Sequence, residues 1–510
     1  MDKPINCFPG YQKVIEWNAK GEKIVHNMYR GTDLGLGGYV YFEPGVYENV
    51  TLIDLTNAHG ASIIALNKFG KYTQRFADIR EANIAIKRKD FEKLKTLMDG
   101  KLVPYINDPN TDWKAIRNAL KLVCNSSFGI SAASFDNPLR DSRDDNDIIA
   151  LRGALFMRTL QDEIEERGYH VIHIKTDSMK IPNASPEIVQ FCMDFAKKYG
   201  YEFEHEAIYS KLCLVNGSTY VAKHQSVENC KKMFGYAPGE NIEAEESGKL
   251  WTATAAQFKV PYVFKTLFSH EPIVFKDYCE TKSVQTALYL DFNENLPDTT
   301  DIKEALTKWD KSLTKLSALS DEMKSPISRD KELIQKDIDK EQRSIDRQQS
   351  YLQNRLGVNI EGDELITLAR KAIDDSHDYQ FVGGVGLFTP VVAGAGGGEL
   401  VRSTNTGNYA SVAGAKGYRW MESEFVRATH KEEFVNEDYY RVLVDEAVKD
   451  ISECCEDTNK KKGTSYTFDW FASDIPVPPV TREPVPGFMP EPVPPIDADE
   501  EIPFEERDAS

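Results

Sequence analysis

Asp54 and Asp177 are the residues of this chain best suited to chemistry. Each sits where an apolar run ends: Val50 to Ile53 precedes the first, and Tyr169 to Ile174 leads to the second through the tight turn Lys175-Thr176-Asp177. A carboxylate at the end of a buried strand is costly unless something pairs with it, and two that converge suit hard divalent cations. Mg²⁺ is the natural ion, with Mn²⁺ as a substitute. Two such ions about 3.5–4 Å apart would hold the attacking and leaving oxygens of an in-line phosphoryl displacement. Taken singly, each aspartate is an ordinary turn or N-cap residue, and spacing alone does not make the two meet. A second constellation lies between them. Lys121, Asn125 and Phe128 stand at i, i+4 and i+7 and so share one helical face, and Arg80 and Lys87 are seven apart on an earlier helix. A cation, an amide and an aromatic ring on one stripe could hold a triphosphate and stack on a base. The plainer reading is two solvated helical faces with a core Phe.

These groups need elements to position them. Asp78 to Met98 reads as a long charged amphipathic helix, a Gly/Asn/Asp/Pro break follows at 99–110, and Asp112 to about Phe128 reads as a second helix. Ser178 to Ile181 is a short strand after the Asp177 turn. The pattern is a sheet interrupted by a projecting helical hairpin, an α+β arrangement. Further on, Asp301 to Asn354 carries Ile334, Ile338, Ile345 and Leu352 at helical spacing and is broken at Ser325-Pro326, which predicts a second helical hairpin. The last 39 residues, from Ala472, hold ten of the 24 prolines, ten acids and two bases. Few large apolar side chains there could repay the entropy of ordering, so this is an extended tail, either a tether or a solvated end.

Composition narrows the function classes. The 510 residues are 41% hydrophobic and 28% charged, which excludes fibrous and wholly disordered classes. The longest uncharged stretch, near Phe381 to Gly398, is interrupted by seven glycines and Pro390, so no membrane span is expected, and residues 1 to 30 carry no secretory signal. A cytoplasmic location follows. Eight cysteines at irregular spacing read as reduced thiols. A net charge of −19 argues against a nucleic-acid partner, but the tail accounts for −8 of it, and Lys87-Arg88-Lys89, Lys197-Lys198 and Lys460-Lys461-Lys462 are local basic clusters.

The strings that contain these residues carry a family resemblance. D-L-T-N-A-H-G-A-S (54–62), K-L-V-C-N-S-S-F-G (121–129) and H-I-K-T-D-S (173–178) resemble, in order, motifs A, B and C of family B DNA polymerases. The group they most resemble is the bacteriophage polymerases with H-I-K-T-D-S. The likeness extends through Y-R-G…G-G-Y-V (29–40), A-L-F-M (154–157), K-K-Y-G-Y-E-F-E-H-E (197–206), P-Y-V-F-K-T-L-F (261–268) and A-K-G-Y-R-W (415–420). It leaves out the helical region near 301–358 and the tail.

The resemblance implies a right-hand fold: an antiparallel-sheet palm (1–66 and 131–256), helical-hairpin fingers (67–130), and a mostly helical thumb and C-terminal region (257–471). It implies that Asp54, Asp177 and the Leu55 carbonyl hold two Mg²⁺ ions, and that Lys121 meets the triphosphate of a dNTP. Asn125, Phe128, His59 and Asn57 would line the nucleotide, with Arg80 and Lys87 as further phosphate contacts. Gly37, Gly38, Tyr39, Tyr220, Lys223 and Lys175 would face primer-template DNA, joined by Lys416 and Arg419, with Glu206 a nearby palm carboxylate. Four positions depart from the family pattern: Lys175 for the first Asp of motif C, Gly60 for Pro, Asn57 for Ser, and Ser218 for a primer-gripping Lys. The family also places a 3′-5′ exonuclease ahead of motif A, where this chain has 53 residues. Asp291-Phe292-Asn293-Glu294 does not substitute for it, so proofreading is expected from a separate exonuclease subunit, with other replisome proteins as partners in the cytoplasm of a host bacterium. Two alternatives stay open: a non-catalytic DNA-binding replisome subunit, and a nucleotidyl transferase of relaxed template or sugar selectivity.

Overall fold

In the computed structural model the described residues are 7–469, apart from 19–20, 22, 134–136, 138–147, 270, 325–330 and 405–406. The expected tail and the Ser325-Pro326 break lie outside them. Three antiparallel sheets organise the described residues. A small sheet joins β1 (Gln12–Trp17), β2 (Lys23–Tyr29) and β3 (Thr32–Asp33). The central sheet has seven strands: β4 (Val40–Phe42), β5 (Gly45–Leu55), β6 (His173–Lys175), β7 (Ser178–Pro182), β8 (Phe203–Asn216), β9 (Thr219–His224) and β10 (Trp251–Thr254). They lie in the order β10-β9-β8-β5-β7-β6-β4. β5 is the spine of this sheet, paired with β7 on one side and β8 on the other. Its alternate residues Val46, Val50 and Leu52, and Ile53 and Leu55, are buried on both faces, as a central strand rich in β-branched residues requires.

Between β5 and β6 the chain leaves the sheet for a helical lobe: α1 (Ala58–Ala65), α2 (Thr73–Lys87), α3 (Phe91–Thr96), α4 (Val103–Ile106) and α5 (Trp113–Ala132). It returns through α6 (Ile148–Glu165). The single helix expected over 78–98 is two. Lys89 takes the left-handed conformation (φ 57°), and the Asp90 side chain accepts from the Lys93 amide at 3.0 Å, which ends α2 and starts α3. α5 begins where the sequence places it, because Asp112 caps the Ala115 amide at 2.9 Å.

One face of the central sheet packs on α6 and α7 (Pro186–Lys198), with Ile53, Met179 and Ile181 against Leu155, Phe156 and Leu160. Truncating a fully buried ring such as Phe156 in this layer would cost about 3–5 kcal/mol. α8 (Val227–Phe234) and α9 (Gly239–Ser247) link β9 to β10. The lobe helices α1, α2 and α5 are tied to α6 through Ile63, Phe76, Cys124 and Ile149.

Alongside its helices the C-terminal region holds a sheet that the sequence reading did not foresee. α10 (Pro261–Phe268) leads into a five-stranded sheet of β11 (Glu280–Asp291), β12 (Tyr379–Val391), β13 (Glu399–Ser403), β14 (Tyr409–Ser411) and β15 (Arg419–Glu422), in the order β14-β13-β11-β12-β15. The glycines that obscure strand periodicity there are demanded by close packing: a Cβ on Gly386 would meet the Phe388 ring at 2.7 Å, and one on Gly398 the Leu290 Cβ at 3.0 Å. The charged hairpin is α11 (Thr300–Lys324) and α12 (Lys331–Leu356), joined by α13 (Gly362–Asp374) around Trp309, Ile345, Leu352 and Leu365. α14 (Ser423–Ala428) and α15 (Glu437–Lys462) follow, and α15 packs on β5 and β8. Among the described residues no helix is long and apolar enough to cross a membrane. The architecture is α+β with antiparallel sheets.

Candidate active site

Asp54 and Asp177 meet at the centre of the seven-stranded sheet. Asp54 pairs with Ser178 across to β7 and with Glu204 across to β8, and the Leu55 amide donates to the Asp177 carbonyl at 3.0 Å. The turn that presents Asp177 is tight: Thr176 has φ 59° and the Asp177 amide donates to the Lys175 carbonyl at 2.7 Å. A second support comes from the N-terminal loop, where the Tyr39 carbonyl accepts from the Thr176 amide at 3.0 Å. Gly38 lies so near that a Cβ there would sit 3.1 Å from Thr176 Cγ2, at φ 118°.

The charges do not offset one another. The Asp54 carboxyl is pushed up to about 9 by burial, then by Asp177 and Glu206, an environment that disfavours its ionised form until a cation arrives. Burial also raises Glu206. Among the described residues no group of three or more His, Cys, Asp or Glu is arranged to hold a metal ion. Asp54 and Asp177 offer two carboxylates close to one another. That donor set suits Mg²⁺, which commonly takes one or two carboxylates and completes its shell with water and substrate phosphates.

The helical lobe delivers cations and rings to the same face. Lys87 at the end of α2 reaches Glu204 Oε2 at 2.5 Å, and the neighbouring Arg88 reaches Glu202 at 2.8 Å and Glu204 at 3.5 Å. Burial works to raise Glu204, but Lys87 and Arg88 outweigh it and hold it below the usual range. His59 on α1 and Phe128 on α5 stack with ring centroids 3.8 Å apart and 2° between planes, and burial drops the His59 imidazole to about 4, so it is neutral at pH 7. Lys121 and Asn125 lie on the Phe128 helix, half-buried and exposed respectively. Asn57 is the N-cap of α1, accepting from the Gly60 amide at 2.9 Å, and a Cβ on Gly60 would fall 2.2 Å from that Asn57 oxygen. Glycine at position 60 is thus a consequence of the Asn57 cap.

Two candidates face the other way. Arg80 is only 6% exposed and its guanidinium donates to the Thr56 carbonyl at 2.7 Å and to Glu81 at 3.0 Å, so it braces the turn after Asp54 and is not a phosphate contact here. Tyr39 is 3% exposed and donates to Gln161 at 2.8 Å, which puts its ring in the core and leaves Gly37 and Gly38 as the accessible part of that loop. Beside the Asp177 turn, Lys175 Nζ lies 3.4 Å from Ser218 Oγ, and Tyr220 and Lys223 lie on β9, with Lys223 over the Trp251 ring. Lys416 is exposed, and Arg419 pairs with Asn293 and Glu399 in the C-terminal sheet. Sequence reasoning missed Glu202 and Glu204. The alternation Glu202, Glu204, Glu206 at strand period was the available signal.

Comparison with known proteins adds little. No family model matches the chain, and no curated protein matches it. Among solved structures, the family B DNA polymerase from the hyperthermophilic archaeon Pyrobaculum calidifontis is similar over 55% of this chain and 37% of that chain, at 11% identity and a TM-score of 0.28.

Proposed function

We propose that the chain is a template-directed DNA polymerase that joins a primer 3′-hydroxyl to the α-phosphate of a dNTP. The observation that carries this reading is the approach of Asp54, near the end of β5, to Asp177, in the adjoining β6–β7 turn, in electrostatic conflict, with Lys87, Lys121, His59 and Phe128 supplied by the helical lobe. Asp54, Asp177 and the Leu55 carbonyl would hold Mg²⁺. When bound, Mg²⁺ would supply charge neutralisation at the transferring phosphoryl group. Lys121 would meet the triphosphate from α5, and Lys87 would exchange Glu204 for phosphate oxygen. The His59 and Phe128 rings lie at stacking distance, so a base that enters between them has to part them. The chain's contribution is then positioning and preorganised charge, which suffice for phosphoryl transfer without a covalent intermediate. The three motif strings support the narrower assignment to the phage group of family B, acting in a bacterial cytoplasm with a separate exonuclease subunit and other replisome proteins.

The test is primer extension on a defined DNA template, with and without Mg²⁺. Extension that needs Mg²⁺ and template is the expected result. Asp54→Ala should abolish extension yet leave primer-template binding intact, and that binding should weaken steeply with salt. Equal extension by Asp54→Ala, or incorporation indifferent to template, would overturn the reading.

A further inference from the structure

The face of the central sheet beyond the acidic cluster carries a lysine that the chemistry above does not employ. Lys180 on β7 is 2% exposed, its Nζ 3.1 Å from His173 Nδ1 and 4.1 Å from the centre of the Tyr220 ring. Burying an ammonium is costly, so the groups it touches define what it does there. His173 is its partner across the β6–β7 ladder and is 1% exposed. The other ring nitrogen, Nε2, lies 3.2 Å from the Gly217 carbonyl. A carbonyl only accepts, so Nε2 carries the proton and the Nδ1 lone pair receives the Lys180 ammonium; one tautomer satisfies both contacts.

Gly217 is in the tip of the β8–β9 hairpin. A Cβ there would come within 2.9 Å of the Phe42 ring and 3.1 Å of Val40, so the tip lies flat on β4. Ser218 beside it meets Lys175, and its amide is held by Asn216 at 2.8 Å. Tyr220, two residues further, presents its face to Lys180 and meets the His173 ring edgewise at 6.1 Å. The chain Lys180, His173, Gly217 therefore fastens the hairpin tip and Tyr220 to the strand pair that carries Asp177.

With the nucleotide held from the helical lobe, the strand being extended needs a separate surface at the carboxylates, and this tip reaches the Asp177 turn through Ser218 and Lys175. We infer that Lys180 and His173 are positioning residues for the primer strand: they keep the 216–220 surface in register with Asp177, so that the primer end and the carboxylate move as one body. This rests on the polymerase reading.

Four variants test it: Lys180→Met, Lys180→Arg, His173→Leu and the double Lys180→Met/His173→Leu. Each is measured for the KM of primer-template and of dNTP separately, and for hydrogen exchange of the amides at 217–220. Lys180→Met and His173→Leu should each raise the primer-template KM about tenfold while leaving the dNTP KM within about twofold. Lys180→Arg should restore most of the loss, the double should be no worse than either single because the contacts form one path, and exchange at the tip should quicken in step. Unchanged primer-template KM in folded variants whose tip exchange has risen would overturn the proposal, as would a parallel rise in both KM values. If Lys180→Met does not fold, His173→Leu and Lys180→Arg still decide it. Wild-type protein that neither binds nor extends primer-template would defeat the polymerase reading instead, and unchanged tip exchange in the variants would then overturn the pinning by itself.

Discussion

Replacing Asp54 by Asn should make the metal-free protein more stable at neutral pH and the enzyme inert. The Asp54 carboxyl is raised in the folded state from its ordinary 3.8 to about 9, by burial first and then by Asp177 and Glu206. A raised carboxyl contributes stability that is fully present below about pH 4 and is lost progressively as pH climbs towards the folded value, because the unfolded chain has already given up its proton. The slope for one proton is about 1.4 kcal/mol per pH unit, so the wild type forfeits up to ~2.7 kcal/mol between pH 5 and pH 7 through this group. Water reaching a partly exposed carboxyl should reduce that by roughly half, to ~1–1.5 kcal/mol. Asn has the shape of the protonated acid and no such slope. Calorimetry in EDTA at pH 5 and pH 7 should therefore find the Tm of Asp54→Asn rising relative to wild type by about 1–2 °C, a small shift because a chain of this size unfolds with a large entropy. Adding Mg²⁺ should raise the wild-type Tm by mass action and leave the variant nearly unmoved. Extension should fall at least about a thousandfold, the equivalent of several kcal/mol of lost stabilisation. If the variant tracks wild type at both pH values, or gains as much from Mg²⁺, the electrostatic account of this site is wrong.

Gly38→Ala combines an unfavourable φ of 118° with a Cβ 3.1 Å from Thr176, so it should cost about 1 kcal/mol of stability and, by shifting the Asp177 turn, a larger share of activity; paired Tm and extension measurements separate the two. Asn241 is fully buried and binds the Ile208 amide at 2.8 Å, the Ile208 carbonyl at 2.7 Å and the Gln225 carbonyl at 2.9 Å. Asn241→Leu leaves all three backbone groups without that partner, a loss of roughly 3–5 kcal/mol that a urea midpoint would register. Burial drops the His224 imidazole from 6.5 to about 4, and its Nδ1 is enclosed without a hydrogen-bond partner. Its share of stability is intact above pH 6.5 and drains away as pH falls towards 4, by up to about 1.4 kcal/mol per unit, so His224→Phe should flatten the decline in Tm between pH 7 and pH 5.

The parts of this molecule that local chemistry specifies are legible in its sequence. Asp112 announces the start of α5, the period of 3.6 puts Lys121, Asn125 and Phe128 on one face, and the β-branched run before Asp54 marks the central strand. Features set by distant neighbours are not. The glycines of β12 and the loop after it hide a five-stranded sheet, and Gly398 among them answers to Leu290 on β11, more than a hundred residues away, not to any local preference. A side chain's type likewise leaves its direction open: Arg80 and Tyr39 carry the groups expected of a nucleic-acid surface, and both turn inward to Thr56 and Gln161.

By itself, then, the order of residues determined the candidate chemistry, namely two strand-end carboxylates and a helical stripe of cation, amide and ring, since these depend on spacings of a few residues. Only the tertiary structure decided that Glu204 stands opposite Asp54, that Lys87 reaches across from the lobe to meet it, and that His173 ties Lys180 to a hairpin tip more than one strand away. Sheet register and helix docking are fixed by burial summed over the whole core, and no short window of sequence contains that sum.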